Sequence, residues 1–327
     1  MAAIPLPIPE RWWNTVIDAL GRNIRYLRLS VTERCNLNCL YCSPAKDDPA
    51  TLLKPDEIAK CVSIMVKLGV DKVRITGGEP LVRRDLEEII AKLTAIDGID
   101  DLPMTTNAVG LDLRIHDLVK AGISRFNISL DTLDRQRYKE ITRVDGMDSV
   151  LRAVDLGLQL GVNVKLNAVL IRGVNDMDLP GFMEYVKETP VQVRFIELMP
   201  IGSYGEDNQD KVIHPEEVLA QFPELKPIGR ASGGVATVYK ADGMAGSIGF
   251  ISPLSHAFCH ECNRIRLTAD GRIRPCLGDN GESDIRPYLN DEAALHKAIY
   301  DAIYHKPTGH HFQDGFASNR DMQHIGG

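Results

Sequence analysis

Strand-like and helix-like segments alternate along residues 26–198, and this alternation constrains the fold more than any other feature. Apolar-rich strand candidates lie at residues 26–31, 72–76, 102–106, 125–130, 162–168 and 191–198. Between them, segments 56–68, 85–93, 113–121, 149–160 and 179–187 carry apolar residues at spacings of three and four, which is typical of amphipathic helices. Six consecutive strand–helix units predict a parallel sheet, either doubly wound or curled into part of a barrel.

The predicted strands alternate apolar and polar residues, whereas strands buried on both faces are usually apolar throughout. Leu27 and Leu29 fall on one side of the first strand, and Arg28 falls on the other. Arg74 and Lys165 hold matching polar positions in the second and fifth strands. If helices cover the apolar side, these cations point into a polar, wet interior.

Charge and hydropathy exclude several functions. The chain has 327 residues and a net charge of −7, which argues against nonspecific binding to nucleic acid or to anionic lipid. No apolar run approaches the roughly 20 residues that a membrane helix needs, and the start lacks a signal-peptide pattern. We therefore expect a cytoplasmic protein with no nucleic-acid or membrane partner.

A first cysteine group, Cys35, Cys39 and Cys42, follows the first strand candidate. A structural zinc site closes its coordination with four protein ligands, but no fourth cysteine or histidine lies close by in the chain. Three thiolates on a compact loop instead suit a cubane iron–sulfur cluster with one open iron. A zinc site completed by a distant histidine, such as His116 or His214, is the alternative.

A second cysteine group, Cys259, Cys262 and Cys276, lies towards the end of the chain. Six of the seven cysteines thus fall in two groups, which fits metal ligation in a reducing compartment better than a disulfide framework. The spacing also allows a zinc ribbon completed by His256 or His260.

Cations on separate segments predict a polyanionic ligand. They are Arg28, Arg74 and Lys165 on the strands, with Arg264 and Arg266 between the cysteines of the second group. Guanidinium groups bind phosphate oxygens in a bidentate fork, and each charge-assisted bond contributes on the order of 1.5 to 3 kcal/mol. A triphosphate between the barrel mouth and the C-terminal region fits this set. Pairing with carboxylates such as Glu79 or Glu197 is the rival explanation for one or two of the cations.

Small and polar residues follow the other strand candidates. Residues 77–80 read Gly-Gly-Glu-Pro directly after the second strand, where glycine lets the backbone approach a ligand. Ser129 ends the fourth strand, and Met199 follows the sixth. All of them belong to the edge formed by the carboxyl ends of the strands.

Several motifs carry a family resemblance. The CxxxCxxC loop with Tyr41 between its last two cysteines, together with the Gly-Gly-Glu-Pro turn, resembles the signature of radical S-adenosylmethionine enzymes. The wider pattern is similar to the GTP 3′,8-cyclase family of molybdenum cofactor biosynthesis. Its matching segments are 18–22 (DALGR), 26–32 (YLRLSVT), 74–81 (RITGGEPL), 127–131 (NISLD), 262–271 (CNRIRLTADG) and the Gly326-Gly327 end.

The resemblance implies an α/β fold with a partial (βα)6 TIM-like barrel, the radical S-adenosylmethionine core, over residues 23–245. An N-terminal extension would precede it at residues 1–22. A C-terminal region at residues 246–327 would carry a second 4Fe-4S cluster and close the barrel mouth.

The resemblance also implies a role for individual residues. The first 4Fe-4S cluster would be held by Cys35, Cys39 and Cys42, and S-adenosylmethionine by Tyr41, Gly78, Ser129 and Met199. The second cluster, whose open iron contacts guanine, would be held by Cys259, Cys262 and Cys276. GTP would be bound by Arg28, Arg74, Thr105, Lys165, Arg264 and Arg266. The tail residues Gly326 and Gly327 would assist catalysis.

The implied reaction converts GTP to (8S)-3′,8-cyclo-7,8-dihydroguanosine 5′-triphosphate. The ribose C3′ hydrogen is neither acidic nor bound to an electrophilic carbon, so acid–base side chains cannot activate it and a cofactor must supply a radical. A 5′-deoxyadenosyl radical from S-adenosylmethionine would remove this hydrogen, and the ribose carbon would then attack C8 of guanine.

The resemblance implies a homodimer, a reductant protein of the flavodoxin or ferredoxin type, and transfer of the product to cyclic pyranopterin monophosphate synthase. Two other functions stay open. A radical enzyme acting on a peptide would not need the inward arginines. A metal module without catalysis, either a zinc ribbon or a ferredoxin-like carrier, would leave the open coordination without a purpose.

Overall fold

The computed structural model describes residues 17–42, 52–230 and 234–326, and one twelve-stranded sheet runs through them. The strands are β1 Tyr26–Ser30, β2 Lys72–Thr76, β3 Met104–Thr106, β4 Arg125–Ser129, β5 Asn163–Leu170, β6 Gln192–Glu197, β7 Lys226–Gly229, β8 Thr237–Lys240, β9 Ser247–Ile251, β10 Arg264–Leu267, β11 Arg272–Arg274 and β12 Ser283–Asp284. The helices are α1 Pro55–Lys67, α2 Leu86–Thr94, α3 Ile115–Lys120, α4 Arg135–Thr142, α5 Met147–Gln159, α6 Leu179–Glu188, α7 Gly202–Asp207, α8 Pro215–Gln221 and α9 Glu292–Tyr304.

The strand order is β12-β11-β10-β1-β2-β3-β4-β5-β6-β9-β8-β7. From β10 to β9 all neighbours pair in parallel, so β1 to β6 form the predicted six-unit core in chain order. This confirms the partial-barrel prediction. The sequence did not predict that β10 adds to the core beside β1 and β9 beside β6.

Helices cover one face of the core strands, and this accounts for the alternating pattern. Leu27 and Leu29 of β1 are fully buried in the same apolar core as Ile58 and Val62 of α1. Neighbouring polar positions on the same strands, such as Arg28, face the opposite side. The apolar face thus anchors the sheet and leaves the inner face for polar side chains.

Helices α4, α7 and α9 lie where the sequence predicted none. Helix α4 was missed because it is mostly polar and buries only Tyr138, Ile141 and Thr142; its start is marked by Asp134, whose carboxylate accepts a hydrogen bond of 2.8 Å from Arg137 N. Helix α7 lies in the segment 201–210, which has no predicted strand or helix. Within the described ranges, every helix is too short or too polar to cross a lipid bilayer.

Gly246 permits β9 to join the sheet. A Cβ added there would lie 2.2 Å from the carbonyl oxygen of Val191 and 2.6 Å from that of Thr189. The Gly246 N–H donates to Val186 O at 2.8 Å, so the backbone cannot move away without losing this bond.

Gly246→Ala is therefore expected to lower the free energy of unfolding by about 1 to 3 kcal/mol, because the new methyl group overlaps fixed backbone atoms. Gly181→Ala in α6 is the matched control, since no heavy atom lies within 4 Å of a Cβ built there. Urea unfolding followed by circular dichroism measures both. Equal stability of the two variants would contradict the need for glycine at position 246.

Candidate active site

The loop of the first cysteine group is held against the glycine pair that follows β2. A Cβ added at Gly78 would lie 2.4 Å from Arg34 O, and one at Gly77 would lie 2.5 Å from Thr32 O. Gly78 N donates to Thr32 O at 2.8 Å, and Glu79 N donates to Arg34 O at 2.8 Å. Only glycine allows this approach, which fixes the chain just before Cys35.

The three thiols of this loop are buried enough to resist ionisation in the protein alone. Burial raises the pKa of Cys42 to about 12, and nearby Cys35 adds to this effect. Burial also raises the pKa of Cys39, with Asp131, Cys42 and Cys35 contributing. Each charged thiolate would thus disfavour ionisation of its neighbours, and such thiols become thiolates when a metal centre binds them.

The residues assigned to S-adenosylmethionine lie on the same rim. Tyr41 donates a hydrogen bond of 2.6 Å to Asp131, whose other oxygen accepts from Val169 N at 2.8 Å. Burial raises the pKa of Asp131 to about 6. Ser129 is the last residue of β4, and Met199 lies two residues after β6. With Gly78, these residues follow four different strands and meet at one end of the barrel.

The inner face of the sheet carries a row of cations. Arg266 of β10 is in register with Arg28 of β1, which is in register with Arg74 of β2. Arg74 donates to Thr105 Oγ1 at 3.3 Å. Burial, followed by Arg74 and Arg264, lowers the pKa of Arg28 to about 10. The pairing of β10 with β1 therefore brings the C-terminal cations into the barrel row.

The rival explanation required Glu79 or Glu197 to neutralise these cations. Glu79 is fully buried and accepts from Thr106 Oγ1 at 2.7 Å and from Asn107 N at 2.6 Å. Glu197 accepts from Leu254 N at 2.8 Å, and also from the N–H and the hydroxyl group of the next residue. Glu197 also faces His214 Nδ1 at 3.4 Å, so both carboxylates are engaged by groups other than the cations of the row.

Sequence reasoning missed Arg194, which lies on β6 and is 9% exposed. Burial, followed by Arg74, lowers its pKa to about 9. Burial also lowers the pKa of Lys165 on β5 to about 8, and Arg194 contributes. Arg194 lies between two apolar residues of β6, as Arg28 does in β1. The same alternation that predicted an inward Arg28 could therefore have predicted an inward Arg194.

Buried polar atoms on the inner face lack partners within the part of the chain that the structure describes. They are Nε of Arg74, Nε of Arg194, both amide atoms of Asn127 and Oδ1 of Asn167. A buried polar group without a hydrogen bond costs about 1 to 3 kcal/mol. The nitrogen atoms of this set therefore fit a bound polyanion that accepts hydrogen bonds inside the barrel, whereas the amide oxygens need a donor.

The second cysteine group lies beside β10. Arg264 Nη2 donates to Cys262 Sγ at 3.4 Å. Burial raises the pKa of Cys262, but Arg264 and Lys306 outweigh it and lower the pKa to about 6. The thiol of Cys276 interacts electrostatically with Cys262 and Cys259. A cysteine with a lowered pKa and an N–H donor at its sulfur, such as Cys262, is typical of a metal ligand.

All seven cysteines are free thiols. Among the described residues, no group of three or more His, Cys, Asp or Glu side chains is placed to hold a metal ion. A cubane cluster needs a wider arrangement than a single metal ion, because each of its three cysteines binds a different iron atom.

The chain end enters the barrel. Gly326 O accepts a hydrogen bond of 2.8 Å from Arg266 Nη1 and one of 3.2 Å from Arg28 Nη2. A Cβ added at Gly326, which has a φ of +72°, would lie 3.0 Å from Ser30 Cβ. Gly327 lies outside the described residues. The tail thus reaches the arginines that were assigned to GTP.

Known proteins resemble this chain over nearly its whole length. The family model of the radical SAM superfamily matches residues 29–186, and the model Molybdenum Cofactor Synthesis C matches residues 191–312. Relatives named GTP 3′,8-cyclase from Clostridium botulinum and Alkaliphilus oremlandii are 40% and 42% identical. The matches cover 95% of this chain, with 100% and 99% of those relatives.

Among solved structures, Streptococcus suis SuiB bound to S-adenosylmethionine has a TM-score of 0.62 at 15% identity, covering 88% of this chain and 67% of that one. This likeness shows the fold. The family model over residues 29–186, which runs from the end of β1 into α6, together with the relatives named GTP 3′,8-cyclase, places the chain in the radical S-adenosylmethionine superfamily. Within that superfamily, the chain belongs to the GTP 3′,8-cyclase family.

Arg194→Gln is expected to stabilise the ligand-free protein, because it removes a buried charge from a group of cations. The free energy of unfolding at pH 7 should rise by about 1 to 3 kcal/mol, and added salt should narrow the difference. Arg152→Gln is the control, since Arg152 lies on helix α5, is 61% exposed and pairs with Asp112 at 3.0 Å, so its removal relieves no repulsion on the inner face of the sheet. Urea titration gives the free energy of unfolding of both variants; a loss of stability in Arg194→Gln would contradict net repulsion among the inner-face cations.

Proposed function

We propose that this protein is a radical enzyme that converts GTP to (8S)-3′,8-cyclo-7,8-dihydroguanosine 5′-triphosphate, an early step of molybdenum cofactor biosynthesis. The observation that most supports this proposal is the row formed by Arg266, Arg28 and Arg74, which lie in register on three neighbouring strands of the inner face. A substrate with several negative charges offsets the positive charges of this row. Membership of the GTP 3′,8-cyclase family indicates that this substrate is GTP.

The inner-face residues position GTP. Arg28, Arg74 and Lys165 bind the triphosphate, and Thr105, which already accepts from Arg74, orients that guanidinium. Arg194 adds a fourth cation on β6. The negative charges of the triphosphate offset the repulsion among these cations. This relief of repulsion contributes to the binding free energy of GTP.

Guanine lies at the other end of the nucleotide, beside β10. Arg264 and Arg266 are two residues apart on this strand, and so they face the same side. We assign them to the base and to its placement near the second 4Fe-4S cluster, held by Cys259, Cys262 and Cys276.

The first 4Fe-4S cluster is assigned to Cys35, Cys39 and Cys42, with S-adenosylmethionine bound by Tyr41, Gly78, Ser129 and Met199. Tyr41 is oriented by Asp131, and Gly78 exposes backbone groups that a side chain would cover. When bound, this pair supplies the 5′-deoxyadenosyl radical that removes the ribose C3′ hydrogen. The protein's part is to hold the ribose close to it and to keep water out.

The tail residues Gly326 and Gly327 are assigned to catalysis. Gly326 O binds both Arg28 and Arg266, so the tail holds two of the GTP-binding guanidinium groups in their orientation. Through this contact, Gly326 contributes to the geometry of the chamber.

Other parts of the proposal rest on family membership. They are a homodimer, a flavodoxin- or ferredoxin-type reductant, product transfer to cyclic pyranopterin monophosphate synthase, and a cytoplasmic location. We also keep the division into an extension at 1–22, a barrel at 23–245 and a cluster-bearing region at 246–327. The sheet crosses the second boundary, because β9 pairs with β6, and residues 1–16 of the extension lie outside the described residues.

The test is anaerobic reconstitution with iron and sulfide, followed by reductant and S-adenosylmethionine with GTP, ATP or no nucleotide. We expect two clusters per chain and 5′-deoxyadenosine formation that depends on GTP. Equal turnover with ATP would contradict guanine recognition. Zinc in place of iron would overturn the whole scheme.

Gly326→Ala should abolish GTP-dependent turnover while sparing both clusters, because the methyl group meets Ser30 at 3.0 Å and Thr76 at 3.2 Å. Gly315→Ala is the matched control: Gly315 has the same φ of +72°, but a Cβ there meets no heavy atom within 4 Å. Gly315→Ala should lower stability only through backbone strain and should retain GTP-dependent turnover. Iron content and product formation are measured for both, and equal losses would remove the tail from catalysis.

A further inference from the structure

The motif Asp18-Ala19-Leu20-Gly21-Arg22 has no part in the site described so far, although it holds a buried ion pair. Arg22 Nε lies 2.6 Å from Asp18 Oδ2, and the two side chains are 6% and 0% exposed. The other oxygen of Asp18 accepts from the backbone N–H groups of Arg22 at 2.8 Å and of Leu20 at 3.0 Å. The pair is therefore rigid as well as buried.

The rest of the Arg22 guanidinium binds carbonyl oxygens on two separate segments. Nη1 donates to Cys259 O at 3.0 Å and to Thr308 O at 3.2 Å. Nη2 donates to Lys306 O at 3.1 Å and to Pro307 O at 2.7 Å. One side chain thus joins the first cysteine of the second group to the segment 306–308.

The segment beyond Arg22's contacts touches the cysteines themselves. A Cβ added at Gly309 would lie 3.5 Å from Cys259 Sγ, and Gly309 O lies 3.9 Å from Cys276 Sγ. The ammonium group of Lys306 donates to Pro275 O, next to Cys276. The position of residues 306–309 therefore decides the space around two of the three thiols.

Arg22 also lies four residues before β1, whose far end leads to the first cysteine group. Tyr26 N donates to Asn263 O at 3.0 Å, directly after Cys262. The motif is thus connected to the second cysteine group through both β1 and its own guanidinium.

We propose that Arg22 is a positioning residue for the second cluster, which fixes Cys259 and residues 306–309 against the start of β1. The inference rests on the proposed function only in naming the group that these cysteines hold. Arginine suits this role because its planar fork serves several carbonyl oxygens at once, whereas lysine presents a single ammonium group. Asp18 compensates the buried charge.

The test uses Arg22→Lys, with Arg25→Lys as the matched control. Arg25 is 55% exposed and pairs with Asp71, away from the cysteines. In the full chain before reconstitution, hydrogen–deuterium exchange of residues 305–312 should be at least about tenfold faster in Arg22→Lys and unchanged in Arg25→Lys. A tenfold change corresponds to about 1.4 kcal/mol.

A second measurement reads the cluster alone. In a background with Cys35, Cys39 and Cys42 replaced by alanine, the electron paramagnetic resonance spectrum of the reduced second cluster should change with Arg22→Lys and not with Arg25→Lys. Asp18→Asn keeps the guanidinium fork and should change exchange and spectrum in the same direction, so it decides the question if Arg22→Lys does not fold.

Wild-type exchange and spectrum in the Arg22 and Asp18 variants would overturn the inference. Faster exchange spread evenly over the whole chain would also overturn it, because Arg22 would then serve general stability. If the wild-type protein binds two clusters but does not convert GTP, the proposed function fails, whereas the exchange and spectral results still decide the role of Arg22.

Discussion

Repulsion among buried cations on the inner face of the sheet is the constraint on which the rest of the structure depends. Arg28, Arg74, Arg194 and Lys165 all have pKa values below their usual ranges, mainly because the barrel buries them. The apolar outer face of the sheet packs under the helices, and this packing offsets the unfavourable free energy of placing the cations together. A chamber built in this way favours a ligand with several negative charges over a neutral one.

The C-terminal region completes that chamber by joining the sheet. Strand β10 places Arg266 in register with Arg28, and the tail carbonyl of Gly326 binds both guanidinium groups. The second cysteine group follows from the same pairing, because Cys262 lies just before β10. One strand contact thus brings together the cations and the cysteines that the proposed function assigns to GTP and to the second cluster.

Local sequence patterns predicted β1 to β6 and the inward side of Arg28 and Arg74, because alternation along a strand is a property of neighbouring residues. They also contained Arg194, which follows the same alternation but was not recognised. The pairing of β10 with β1 joins residues more than 230 positions apart and leaves no local pattern. Helix α4 was missed for a different reason, since its apolar face is only three residues wide.

The most direct measurement follows one atom. GTP carrying deuterium at the ribose C3′ position is incubated anaerobically with the reconstituted protein, reductant and S-adenosylmethionine, and the 5′-deoxyadenosine is analysed by mass spectrometry. The account predicts that one deuterium atom appears in 5′-deoxyadenosine, because the chamber holds the ribose against the first cluster. Turnover of this GTP with no deuterium in 5′-deoxyadenosine would contradict it.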